Sequence, residues 1–89
     1  MLARSAELAA DWVASAPGRP IPAQATVAEL RETLGGVLPE GLTPDREVVE
    51  SLARDAEPGL TSMGSGRYFG FVIGGTLPSA LAADWLVSA

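Results

Sequence analysis

Residues 67–85 read RYFGFVIGGTLPSALAADW, and this stretch decides how the rest of the chain is read. Tyr68, Phe69, Phe71, Val72 and Ile73 form a dense aromatic and β-branched run around Gly70, which suits an extended or irregular segment over 68–73. Gly74 and Gly75 break the run. Thr76 is placed to cap a new helix with Pro78 in its first turn, and Leu77, Leu81, Trp85 and Leu86 then make an apolar helix over 77–89. Leu86 to Ala89 carry no Gly, Asn or Pro stop and no basic last turn, so this helix is expected to be cut short in mid-pattern.

Three amphipathic helices are expected upstream, over 2–16, 27–34 and 44–56, making the chain mainly α with about four helices. In the first, Leu2, Ala6, Ala9 and Val13 recur at helical spacing beside Leu8 and Trp12, and Arg4, Glu7 and Asp11 form a polar stripe. Pro17 and Gly18 stop it, and a proline-rich extended segment follows to residue 25. Thr26 and Glu29 have the spacing of a capping box, in which each side chain accepts from the other residue's free backbone N–H. Val27, Leu30 and Leu34 line one face of this second helix, with Gly35 as a left-handed cap. The third helix is expected to take Thr43 as N-cap with Pro44 in its first turn, and Val48, Val49, Leu52, Ala53 and Ala56 as its apolar face. Pro58 and Gly59 end it, and 59–66 reads as a flexible Gly/Ser loop.

Composition excludes several kinds of function. The 89 residues include no lysine, histidine or cysteine, and the formal charge is −5. Without cysteine there are no disulfides or thiolate metal sites, which agrees with a cytoplasmic location. The six basic residues are all arginine, scattered and close to acids, so neither a nucleic-acid backbone nor an anionic membrane surface finds a basic patch. The uncharged run 68–83 is interrupted by Gly70, Gly74, Gly75 and Pro78 and is too short to span a bilayer. The seven serines have no histidine or lysine to activate them, which excludes a nucleophilic triad within the chain. The carboxylate pairs Glu7/Asp11 and Glu47/Glu50 read as solvated helix faces. No catalytic, cofactor-binding or metal-ligating residue is assigned.

The string from Arg67 to Trp85 resembles the N-terminal signature of the group II pyridoxal-phosphate-dependent amino-acid decarboxylases, a family that includes the aromatic-L-amino-acid, tyrosine and glutamate decarboxylases. Glu29-Leu30-Arg31 leading to Leu34-Gly35-Gly36 resembles the family's second helix, and Ala56-Glu57-Pro58-Gly59-Leu60 the approach to the signature. The likeness covers nearly the whole chain. One departure is that Gly66-Arg67 stands where aromatic-amino-acid decarboxylases tend to have His-Pro.

The resemblance implies that residues 1–89 are the N-terminal dimerisation and pocket-lining segment of a larger fold type I enzyme, a carboxy-lyase, with no complete catalytic domain. Its partners would be the remainder of its own chain and a second subunit in a homodimer, and its substrate an amino acid. By the same resemblance Phe71, Val72, Ile73 and Gly74 would line the substrate pocket, with Tyr68, Phe69 and Thr76 as supporting neighbours. Pyridoxal 5'-phosphate would be held by the full-length parent and not by this chain alone, since the family's lysine, stacking histidine and ring-pairing aspartate come later in the sequence. The alternative expectation is a stand-alone helical protein–protein interaction module.

Overall fold

The computed structural model describes residues 1–71 and 77–89. Among them are four α-helices and no strand: α1 (Leu2–Ser15), α2 (Val27–Leu34), α3 (Asp45–Ala56) and α4 (Pro78–Ser88). Two short 3₁₀ turns, Ala16–Gly18 and Glu57–Gly59, finish α1 and α3. Both turns carry proline and glycine, residues that cannot sustain an α-helix, so sequence and backbone agree on where the helices stop.

The start of α2 forms as its sequence dictates. Thr26 Oγ1 accepts from the Glu29 N–H at 3.3 Å, and Glu29 Oε2 accepts from the Thr26 N–H at 2.7 Å. Three other terminal assignments are corrected. Pro44, not Thr43, is the N-cap of α3, and no side chain caps that helix. Its Asp45 and Glu47 instead place negative charge in the positive first turn. Leu77, not Thr76, is the N-cap of α4, with Pro78 opening the helix. Gly35 is extended (φ −89°, ψ −175°), and the positive φ of +131° falls on Gly36. Gly35 is required for a different reason: a Cβ there would collide with the Arg31 carbonyl oxygen.

α3 packs against both α1 and α2. The face that α1 turns inward is not the expected one. Leu8, Trp12 and Ser15 are half-buried and Ala16 is buried, whereas Leu2, Ala6, Ala9 and Val13 face solvent. On α3 the inward residues are Val49, Ala53 and Ala56, while Val48 and Leu52 stay exposed. The apolar residues that are half-buried are thus Leu8 and Trp12 of α1 and Val49, Ala53 and Ala56 of α3, while Leu2, Val13, Val48 and Leu52 stay exposed.

Ala16 is the only buried hydrophobic residue among those described. The most buried residues are polar: Ser62 at 2% exposure and Ser65 at 5%. Their segment, expected as a flexible loop, is instead packed and hydrogen-bonded. The Ser62 N–H donates to the Ile21 carbonyl at 2.9 Å, and the Gln24 and Ala25 N–H groups both donate to the Pro58 carbonyl at 2.7 and 2.8 Å. Proline-rich segment, 3₁₀ turn and serine loop form one irregular layer because each supplies backbone groups that the other lacks.

The body measures 42 × 34 × 20 Å, with a radius of gyration of 15.0 Å. A compact chain of this length has a radius near ~12 Å. The accessible surface is 7203 Å², against ~4,900 Å² for a compact monomer of this mass. The helices splay, and every residue of α4 is exposed.

Candidate functional site

Two features are built by this fold: an arm that carries exposed aromatics, and a groove between α1 and α3.

The arm runs from Leu60 to Phe71. After Ser65, the Tyr68 N–H donates to the Ser65 carbonyl at 3.0 Å and the Arg67 N–H to Ser65 Oγ at 3.3 Å. Tyr68 is half-buried, and its ring folds back over Gly70, where a Cβ would lie 2.5 Å from the phenol oxygen. A side chain at Gly70 would have to push the Tyr68 ring aside. Phe69 and Phe71, on either side of Gly70, project into solvent at 94% and 88% exposure. Phe71 has φ +54°, the left-handed region that a bulky L-residue seldom adopts. The irregular backbone expected over 68–73 is present as far as Phe71. Val72, Ile73, Gly74 and Thr76 lie outside the described residues.

The groove is an open depression of about 620 Å³ with an apolar floor that includes Leu8, Trp12, Ala53 and Leu60. Phe71, the one expected pocket-lining residue that is described, is not part of it, and neither are its expected supporting neighbours Tyr68 and Phe69. Its rim is charged, and most of those charges are engaged with one another. Arg4 Nε donates to Glu50 Oε1 at 3.0 Å, and Arg46 Nε reaches the same oxygen at 2.9 Å. Arg19 stacks over the Trp12 ring at 3.9 Å and donates to both Ser15 Oγ and Glu57 Oε1.

These pairs settle what the carboxylates are able to do. Hydrogen bonds from Arg46, then from Arg4, hold Glu50 below the ordinary glutamate value. The capping-box bonds from Thr26 do the same to Glu29, and Arg54 lowers Asp55. Each of these three carboxylates is held in its charged form, the opposite of what a proton donor near neutral pH requires. No cluster of three or more metal-ligating side chains occurs among the described residues. No described helix is long and apolar enough to cross a membrane.

Sequence reasoning missed Arg67, Arg19, Ser62 and Ser65. Arg19 had a faint signal, since it follows Ser15 by four and Trp12 by seven residues, as on a continuing helix. Arg67, Ser62 and Ser65 had none, because their partners are distant in sequence or belong to the backbone.

Compared with protein-family models, curated proteins and solved structures, the chain shows no significant match to any of them.

Proposed function

We propose that this chain is the N-terminal segment of a group II pyridoxal-phosphate-dependent amino-acid decarboxylase, where it lends helical surface to a dimer and the aromatic arm to the substrate pocket. The sequence from Arg67 to Trp85 is what suggests the family. The observation that carries the role is the unburied surface: ~2,300 Å² more than a compact monomer of this mass leaves exposed. An excess of that size is in the range that an obligate interface covers. Phe69, Phe71, Leu81 and Trp85 belong to that surface, on the arm and on α4. Cytoplasmic residence is part of the same proposal.

The described residues do not fit the cofactor itself. The chain has no lysine amine to bond its aldehyde and no imidazole to stack on its ring. Arg4, Arg19, Arg46 and Arg54 are each already engaged with a carboxylate, so no free basic cluster among the described residues offers a phosphate site. The contribution of this chain is therefore to shape and to cover.

The second reading, a stand-alone helical interaction module, is favoured by the way α1, α3 and the irregular layer bind one another within the chain. The complete open reading frame distinguishes the two. The protein expressed from it should absorb visible light with pyridoxal phosphate and release carbon dioxide from an aromatic amino acid or glutamate. The 89 residues alone should self-associate in sedimentation and do neither. A frame that closes at Ala89 and yields a stable monomer overturns the decarboxylase reading.

A further inference from the structure

We propose that Arg67 is a positioning residue that clips the aromatic arm to the end of α1 and so sets where Phe69 and Phe71 are presented. The inference rests on the reading of the arm as a pocket element, and its structural half stands apart from that reading.

One Arg67 nitrogen, Nη2, donates to two backbone carbonyls, Pro17 at 3.0 Å and Arg19 at 2.6 Å. Both belong to the turn that finishes α1, where helix-end carbonyls lack intrahelical donors. A guanidinium is suited to this because its donors are fixed in a planar fork and its charge strengthens each bond. The turn it grips is itself held in place. Arg19 ties it to Ser15 and Trp12 on α1 and to Glu57 beyond α3. Arg67 therefore joins the arm to the best-anchored part of the molecule.

The position of Arg67 along the arm gives the clip its consequence. Upstream, Ser62 and Ser65 are buried and bonded. Downstream, Phe69 and Phe71 are almost fully exposed, and the bond from the Tyr68 N–H to Ser65 spans the clip itself. Arg67 is thus the last side-chain anchor before the aromatics, and rotation about this point swings both rings together.

Hydrogen exchange on the 89-residue chain tests the clip. Arg67→Ala should speed exchange at the Ser65 and Tyr68 amides about tenfold or more, with the α1 and α3 amides unchanged and Arg67→Lys intermediate. Unchanged exchange on the arm overturns the clip. Uniform loss of protection through α1 and α3 also overturns it, because Arg67 would then be a general stabiliser. In the complete decarboxylase, Arg67→Ala should raise KM for the amino acid several-fold while kcat and cofactor absorbance hold. An unchanged KM overturns the positioning role. A complete protein without decarboxylase activity overturns the functional reading and leaves the exchange result to decide the clip.

Discussion

Ser62 offers a direct test of how this chain is held together. Its side chain is 2% exposed, and its Oγ has no hydrogen-bond partner. A hydroxyl buried without a partner costs about 1–3 kcal/mol. Ser62→Ala removes that cost and leaves a gap of one oxygen atom, whose lost dispersion contacts amount to a few tenths of a kcal/mol by order of magnitude. The backbone role of the residue is untouched, since its N–H and C=O make the bonds to Ile21 and Ser65. The expected net effect is a gain of about 1 kcal/mol, or a rise in Tm of roughly 4–8 °C for a domain of this size. The same gain slows exchange of the Ser65 amide, whose N–H donates to the Ser62 carbonyl, by about fivefold. Thermal melts by circular dichroism and residue-resolved exchange measure the two effects. An unchanged or lowered stability refutes the reasoning, because it means that the hydroxyl is satisfied in solution.

Two further outcomes follow from the packing and the ion pairs. Glu29, Glu50 and Asp55 are all held below their ordinary values by hydrogen bonds, so each binds its proton less readily folded than unfolded. Their stabilisation is complete above the ordinary carboxylate range and is lost as pH falls through the depressed folded values. Helicity followed by circular dichroism should therefore hold from neutral pH to about 5 and decline below about 4, and a Glu50→Gln variant should show a shallower decline. A decline that begins above pH 6 would contradict this assignment. Gly59→Ala would place a Cβ 2.6 Å from Leu30 Cδ1, forcing Leu30 out of its contact with the turn after α3. The expected cost is about 1 kcal/mol, visible as weakened protection of α2 with α1 unaffected, and a neutral Gly59→Ala would mean that Leu30 repacks freely.

The aromatic arm was legible only in part. Its composition stands out in the sequence, and Gly70 between two phenylalanines indicates a close backbone approach. What does not appear there is that Tyr68 makes that approach, or that the two phenylalanines turn outward on a backbone with positive φ at Phe71. The Gly/Ser composition of 59–66 pointed to a flexible loop, yet Ser62 and Ser65 are the most buried residues described. Small polar residues mark flexibility when nothing packs on them, and close packing when another backbone does. Composition alone does not distinguish the two.

The sequence by itself determined the local structure: four helices, the capping box at Thr26 and Glu29, and the proline–glycine stops after Ser15 and Ala56. These depend on interactions within a few residues, so the chain's own order specifies them. Only the tertiary structure decided which face of α1 turns inward and that Arg67 grips the carbonyls of Pro17 and Arg19. α1 carries apolar residues on more than one side, and periodicity offers several faces where docking selects one. Here docking on α3 turns Leu8 and Trp12 inward, and Leu2 and Val13, with Phe69 and Phe71, remain on the surface.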